Sequence, residues 1–361
     1  MTKKLAGSLE ELHLPDTVHA VIRARVDRLG PDAREVLRLA SVIGREFNQA
    51  VLERLYPAAE RLADGLQTLA RRDIVHQVRV VPEAAYIFKN VLTQVVVYET
   101  LLLQQRKELH AKVGQAIEAL YPDRLEEHFE ALAYHFENGE VWDKAMLYLV
   151  RAGIKARQSY SLKTALALFD RAKDILENRA PDVRWKVRYD LYYERSQILG
   201  EMAQWLFAYQ DICKAEEIAR NEGELKLRIR TMFTTAFFAF WAALPEHALA
   251  KCSELEPLVA DDPANMLGVV VQQAFVLVML DDIDAALQKE HETRELMARA
   301  PDSPHIGKAA YVIGLFSRWR GDYRKTQEMI KPMLPKQKTE AAAGIYLNSV
   351  LHYGLSLGEC G

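Results

Sequence analysis

The chain contains 361 residues, half of them hydrophobic, which is enough for about two domains or one long repeat array. Its 47 basic and 50 acidic residues are interspersed and give a net charge of -3, which argues against nucleic acid or an anionic membrane as a partner. The start of the chain has no apolar signal segment, and Cys213, Cys252 and Cys360 have no metal-binding spacing, so we expect a cytoplasmic protein.

The first part of the chain is predicted to be an N-terminal tail over residues 1–13 and a small domain with its connecting helices over residues 14–120. Apolar residues recur at helical spacing as far as Ile43. Two short helices are expected to follow, at 47–56 and 59–71.

A β-hairpin is predicted after these helices, because the apolar period changes from about 3.6 to 2. Ile74, Val78 and Val80 belong to the alternating segment, a turn follows at Pro82, and residues 86–88 return. Three helices followed by a two-stranded wing predict a winged-helix domain.

The third helix of this layout is the one that would enter a DNA groove. It carries Glu60 and Asp64 alongside three arginines. Binding to duplex DNA depends on a surplus of Lys and Arg that contacts phosphates, and this helix has almost none. We therefore expect the domain to be a structural spacer that does not bind nucleic acid.

The stretch FKNVLTQVVVYETLL, residues 88–102, is predicted to be a helix that leaves the hairpin. A membrane span needs about 20 apolar residues, and Thr93, Gln94 and Glu99 interrupt this stretch. Its apolar residues fall mostly three and four positions apart, which is typical of an amphipathic helix. We expect this helix, with Leu102 on its apolar face, to connect the hairpin to the helices that follow.

Residues 121–361 predict helix after helix, and they contain an internal repeat. A small residue marks the second helix of each predicted helical hairpin, at Ala145, Ala165, Ala208, Ala248, Ala286 and Thr326. The spacings are 20, 43, 40, 38 and 40 residues, so the first two units are expected to share a helix. Close approach of two helices requires a second small residue, and one lies twelve positions before each later marker, at Ser196, Ala236, Ala274 and Gly314.

This repeat resembles the tetratricopeptide repeat (TPR) family, whose usual period is about 34. The resemblance implies an all-α fold, a TPR-like α-solenoid in which helical hairpins with a period near 40 form a right-handed superhelix with an inner groove. We expect the array to be incomplete at its C-terminus, because its last helix would need a partner helix that the sequence does not contain.

A second resemblance covers residues 14–176. It is carried by LPDTVHAVIRARVDRLGPDAREVLRLASVIGREF, by FKNVLTQVVVYETLLLQQRKELHAKVGQAIEAL and by EALAYHFENGEVWDKAMLYLVRAGIKARQSYSLKTALALFDRAKDIL. These segments are similar to the region after the ATPase module in bacterial signal-transducing ATPases with numerous domains (STAND-type), which are often fused to class III adenylyl or guanylyl cyclases. Maltose-regulon-type activators are related. The family usually has His at Asn90 and Glu at Val95, so no polar role is transferred to Asn90.

The catalytic parts of that family have no counterpart in this sequence. No G-x-x-x-x-G-K-[ST] phosphate loop occurs, since Gly307-Lys308 is followed by Ala309. His128 and His135 lie seven residues apart, which is not the spacing of a metal site. We expect no catalysis, cofactor or metal in this chain, and we expect it to be a fragment of a longer protein or a truncated product.

The resemblance to TPR proteins implies that ligands bind on the inner face of the first helices. The groove-facing positions correspond here to Tyr193, Arg230, Phe233, Phe237, Phe240, Phe275, Tyr311 and Arg318. Lys308 falls on the same face. Aromatic and arginine residues are the usual anchors of interfaces. The alternative is that the local aromatics, Phe238 and Trp241 among them, only fill gaps between long helices.

Three functions remain open at this point. The first is a non-catalytic regulatory module of a bacterial signalling protein, whose repeats bind a protein, a peptide or a small inducer. The second is the regulatory half of an ATP-dependent adenylyl or guanylyl cyclase or of a STAND-type ATPase switch. The third, disfavoured by the near-neutral winged helix, is a fragment of a DNA-binding transcriptional activator. The sequence leaves the partner and the oligomeric state undetermined.

Overall fold

The computed structural model of the protein describes residues 16–56, 58–180, 182–334 and 343–360. The predicted tail, residues 1–13, lies outside these ranges. The chain forms two compact units that divide between Val187 and Arg188. The domain boundary predicted at residue 120 falls inside the first unit and stays a prediction.

The elements before residue 121 are helices with a small antiparallel sheet. The helices are α1 (Asp16–Asp27), α2 (Pro31–Ile43), α3 (Gln49–Leu55), α4 (Ala59–Arg71), α5 (Val91–Glu99) and α6 (Leu103–Leu120). The strands are β1 (Glu46–Asn48), β2 (Val75–Arg79) and β3 (Ala85–Phe88), in the sheet order β1-β3-β2. The predicted hairpin is present as β2 and β3.

Strand β1 corrects the prediction that residues 47–56 form one helix. Phe47 pairs with Tyr86 in the antiparallel ladder, and α3 starts only at Gln49. A strand of three residues is too short to show a period of 2, so only its pairing with β3 identifies it. The buried Phe47 ring also stacks on Tyr86, with 5.9 Å between ring centroids.

One hydrophobic core holds these elements together. α2 contributes Val36, Leu37 and Ala40, whose spacing places them on one helix face. Leu69 from α4 and Phe88 from β3 belong to the same buried cluster. The helices and the sheet therefore share a single apolar interior.

Beyond residue 120 the helices pack against their neighbours in sequence. They are α7 (Phe129–Asn138), α8 (Trp142–Gln158), α9 (Leu162–Asn178), α10 (Trp185–Glu201), α11 (Trp205–Asn221), α12 (Leu225–Trp241), α13 (Pro245–Leu255), α14 (Pro263–Met279), α15 (Ile283–Arg299), α16 (Ile306–Trp319), α17 (Tyr323–Ile330) and α18 (Ala343–Cys360). α8 packs against both α7 and α9, as expected for a shared helix, and α12 pairs with α13, α14 with α15 and α16 with α17. The fold is an all-α, TPR-like α-solenoid, as predicted.

The turns that lead into the six marker helices share one backbone conformation. Each of these turns contains a residue with φ between 54° and 78°, namely Glu140, Tyr160, Ala203, Ala243, Asp281 and Gly321. The next residue donates its N–H to a carbonyl five positions earlier, as Leu244 does to Ala239 at 2.9 Å, which is the Schellman ending of a helix. Each left-handed residue lies five positions before a predicted marker. The turns therefore repeat with the spacing that the markers predict.

The markers lie where the helices of a hairpin meet. Ala145, Ala165, Ala208, Ala248, Ala286 and Thr326 are all fully buried. The Thr326 hydroxyl donates to the carbonyl of Gly314 at 3.0 Å, which joins a marker to the small residue twelve positions before it. On α8, a Cβ at Gly153 would lie 2.7 Å from the Phe169 ring of α9. These contacts confirm the predicted close approach.

The stretch 88–102 is not one helix, because α5 ends at Glu99 and α6 begins at Leu103. Leu102 lies in the break and is 69% exposed, so its predicted place on an apolar face is wrong. Asn90 caps α5 by accepting a hydrogen bond from the Leu92 N–H at 2.8 Å. Within the described ranges, none of the helices is both long and apolar enough to cross a membrane.

Candidate functional site

The second unit carries a line of partly exposed rings on the first helices of successive hairpins. Phe240 of α12, Phe275 of α14, Tyr311 of α16 and His352 of α18 follow one another, with ring centroids 6.1, 5.8 and 5.6 Å apart. Each ring is half-buried. We call these four residues the aromatic row. The rings occupy different repeat positions: Phe240 lies four residues after Ala236, Phe275 one after Ala274 and Tyr311 three before Gly314, so the row moves back by about one helical turn from each repeat to the next.

A second line of contacts lies one helical turn before the aromatic row. The Phe233 ring packs against His305 at 4.9 Å between centroids. Phe237 follows Phe233 by four residues on α12, and the ammonium group of Lys308 lies 5.6 Å from the centroid of the Phe237 ring. The spacing of Phe233, Phe237 and Phe240 places them on one face of α12, so both lines belong to one surface.

Gln272 joins α12 to α14 within this surface. Its Nε2 donates to the carbonyl of Phe233 at 3.1 Å. Its Oε1 is buried and has no hydrogen-bond partner in the part of the chain that the structure describes. A buried acceptor without a partner costs free energy, so the hydrogen bond to Phe233 is what fixes this side chain between the two helices.

The basic residues of this surface have neutral or aromatic neighbours. Arg230 donates to the Tyr193 hydroxyl at 2.9 Å and lies over its ring at 4.2 Å. Arg318 lies 3.1 Å from Nδ1 of His352. Burial lowers the pKa of Lys308 below its usual value. None of these neighbours carries a negative charge that would neutralise the cation it contacts.

His305 is kept neutral near physiological pH. Burial first, and then the charge of Lys308, lower the pKa of His305 to about 4. The ring fills the space beside Gly268, where a Cβ would come within 2.7 Å of it. His305 therefore serves as a packed, uncharged wall beside Lys308.

The structure places the eight predicted site residues in two groups. Phe240, Phe275 and Tyr311 form most of the aromatic row, with Phe233 and Phe237 beside them and Arg318 at its far end through His352. The other group is Tyr193 and Arg230. Tyr193 is only 8% exposed and stacks on Tyr189 with 5.7 Å between ring centroids. Its main contribution is therefore to position Arg230, because little of its own surface can contact a ligand.

Sequence reasoning missed several members of this surface, namely Gln272, His305 and His352. Single polar residues between apolar ones leave no periodic signal, so their roles depend on neighbours from other hairpins. Phe238 is buried at 4% exposure and fills a gap, as the alternative proposed, whereas Trp241 is 44% exposed and contacts Phe240 at 5.4 Å.

The described residues offer little for covalent or metal chemistry. Among them, no group of three His, Cys, Asp or Glu side chains could hold a metal ion. Burial raises the pKa of Cys252 to about 12, and burial also raises that of Cys213. Thiols with raised pKa values are poor nucleophiles. The surface around the aromatic row is suited to binding.

Comparisons with known proteins place the chain beside a longer relative. No protein-family model matches the chain. An uncharacterised protein of Rhizobium meliloti (strain 1021) is 27% identical over 176 residues, which are 48% of this chain and 17% of that protein. The matched region is thus a small part of the relative.

Several solved structures of low sequence identity are similar in fold. The apo form of RapI has a TM-score of 0.48 at 11% identity, with 89% of this chain and 86% of that chain covered. A STAND protein with a tetratricopeptide repeat sensor from Pyrococcus horikoshii has a TM-score of 0.43 at 10% identity, with 94% and 55% covered. MamA from Desulfovibrio magneticus RS-1 has a TM-score of 0.37 at 17% identity, with 56% and 100% covered.

Proposed function

We propose that this chain is a non-catalytic regulatory module of a bacterial signalling protein, and that its repeats bind a peptide or a segment of a protein partner. The observation that carries the proposal is the aromatic row, four half-buried rings in contact across four helices of the second unit. A cytoplasmic location and the absence of a cofactor belong to the same proposal.

The physical argument is that these rings are already ordered but not fully covered. Rings fixed by packing lose little further conformational freedom when a partner binds, whereas covering them removes apolar surface from water. Aromatic side chains are accordingly the most frequent energetic anchors of interfaces. A small inducer would engage fewer of the rings than an extended segment, so a peptide fits the length of the row better.

The first helices and sheet support a winged-helix assignment for the N-terminal part. The elements from α2 onward follow the order α2, β1, α3, α4, β2, β3, and the sheet has the order β1-β3-β2. α4, the third helix of this layout, carries Glu60 and Asp64 with its arginines, and the side chain of Arg71 donates to Gln67 at 2.8 Å. We propose that this part is a spacer and does not bind DNA.

The second part of the proposal concerns the larger protein to which such a module would belong. The relative from Rhizobium meliloti extends far beyond the matched region, and residues 14–176 resemble the region after the ATPase module of STAND-type proteins. We therefore propose that the chain acts as the sensing part of an ATPase or cyclase switch. Nucleotide hydrolysis by the longer protein, measured with and without a bound peptide, would test this.

Selection from a library of short random peptides displayed on phage tests peptide binding directly. We expect the chain to enrich a related set of peptides, and we expect Phe240→Ala and Phe275→Ala each to weaken binding of an enriched peptide about tenfold. Tyr160→Ala is the matched control, since Tyr160 is 92% exposed and belongs to the other unit. Failure to enrich any peptide, or equal binding by all three variants, would contradict the proposal.

A further inference from the structure

Several cations of the second unit pair with carboxylates, and Lys308 does not. Arg195 pairs with Asp211, Lys251 with Glu216, and both Arg294 and Arg320 with Glu290. Among the described residues, no carboxylate lies within 4.0 Å of the Lys308 ammonium group. The ammonium group lies over the Phe237 ring. A half-buried ammonium group without a counter-ion is costly, and a partner could supply that counter-ion.

The groups next to Lys308 do not act as its counter-ion. His305 is neutral, as described above. Asp262, which lies close enough to affect the pKa of His305, accepts hydrogen bonds from the N–H groups of Ala264 and Asn265 at the start of α14. Its carboxylate is therefore committed to capping a helix.

Gln272 fixes the turn of α12 beside Lys308. Its Nε2 donates to the carbonyl of Phe233, and Phe233 and Phe237 are one turn apart on α12. The Phe237 ring under the Lys308 ammonium group is therefore held in place by a contact from α14.

The surface around Lys308 carries more positive than negative charge. Arg230 and Arg318 lie at its two ends and contact the neutral side chains of Tyr193 and His352. Two acids lie near it, Asp190 of α10 on the predicted inner face and Asp262 at the start of α14. Three cations against these two acids favour a partner with negative charge, because complementary potentials guide association and disfavour like-charged partners.

Resting on the proposed function, we propose that the segment bound along the aromatic row is an acidic peptide of a partner protein. A carboxylate of the peptide pairs with Lys308, and apolar side chains of the peptide cover the rings of Phe240 and Phe275. A free amino acid could supply the carboxylate but would leave the rings uncovered.

The test uses the peptides that the intact chain selects from the random library. We expect Asp or Glu to be enriched beside apolar residues in these peptides. We expect Lys308→Met, which keeps an apolar stem, to weaken binding of an acidic peptide about tenfold. Replacing the peptide's Glu by Gln should weaken binding to the unaltered chain by a similar factor and should have almost no further effect on Lys308→Met.

Reversing the charge at this position provides an independent test, in case Lys308→Met binds poorly for a reason other than the lost charge. Lys308→Glu should enrich peptides with Lys or Arg in place of Asp or Glu, while far-UV circular dichroism shows unchanged helicity. Peptides selected without acidic residues, or losses that simply multiply between the Met variant and the Gln peptide, would overturn the acidic assignment but leave peptide binding intact. If no peptide is enriched by the unaltered chain, the proposed function itself fails.

Discussion

Two buried histidines of the first unit make stability depend strongly on pH. Nδ1 of His110 lies 2.9 Å from Nδ1 of His135, and Nε2 of His110 lies 3.0 Å from the Tyr98 hydroxyl. His135 also donates to the backbone carbonyl of Ile43. That bond places the His135 proton on Nε2, so its Nδ1 accepts from His110 and Nε2 of His110 accepts from Tyr98. The chain of hydrogen bonds is complete only when both rings are neutral.

The magnitude follows from the pKa values of the two rings. Burial lowers the pKa of His110 from 6.5 to about 4 and that of His135 to about 3. The unfolded chain therefore takes up protons below pH 6.5 that the folded chain refuses, and stability is lost as the pH falls. Between pH 8 and pH 5 this amounts to about 2 kcal/mol per histidine, or about 4 kcal/mol for the pair.

The perturbation is the double variant His110→Gln/His135→Gln, in which neither position can titrate. Urea unfolding of both proteins is followed by far-UV circular dichroism at pH 8, 7, 6 and 5. The variant is less stable at pH 8 because its packing is altered, but its free energy of unfolding should fall about 4 kcal/mol less than that of the unaltered chain by pH 5. Comparison of slopes removes the contribution of the other histidines, which both proteins share.

His291→Gln is the control, because His291 is exposed beside Glu295. Because this variant keeps both buried histidines, it should retain the steep loss of stability between pH 8 and pH 5. Parallel curves for the unaltered chain and the double variant would refute the reasoning, since they would mean that the buried pair gains its protons as readily as in the unfolded chain.

Three further predictions concern stability and are measured by thermal or urea unfolding. Tyr98→Phe leaves Nε2 of His110 without a donor and should destabilise by about 1–3 kcal/mol; an unchanged stability would contradict the assigned direction of that hydrogen bond. Ala243→Gly relieves a left-handed residue at φ 59° and should stabilise by up to about 1 kcal/mol, whereas Gly321→Ala at φ 78°, where a Cβ meets nothing within 4 Å, should destabilise by about 1 kcal/mol. Effects of the same sign at these two turns would show that they are not equivalent. Gly153→Ala forces a ring aside in the α8–α9 contact and should cost about 1–3 kcal/mol; a smaller loss would mean that the helices separate easily.

The sequence predicted the repeats because their determinants are local. In a helical hairpin the two helices are neighbours in the chain, so a small residue such as Ala248 and its turn can be recognised from spacing alone. The same holds for the hairpin of β2 and β3, whose short connection leaves a clear change of period. The sequence also predicted aromatic residues on the first helices, but Phe240, Phe275 and Tyr311 lie at different positions of the repeat, so their contacts did not follow from its spacing.

The sequence did not predict contacts between elements that are distant in the chain. Strand β1 exists only through its pairing with β3. His110 and His135 meet although they lie on different helices, and the spacing of His135 from His128 gives no sign of this contact.

The candidate site shows the same division. Composition and spacing determined that the chain is a helical repeat array and that aromatic and basic residues recur on its first helices. Only the tertiary structure decided that Lys308 lies over Phe237 without a described carboxylate nearby, that Gln272 keeps a free acceptor, and that Tyr193 is buried. The physical reason is that counter-ions and hydrogen-bond partners come from neighbouring hairpins, whose side chains meet according to how the helices pack and not according to any pattern within one helix.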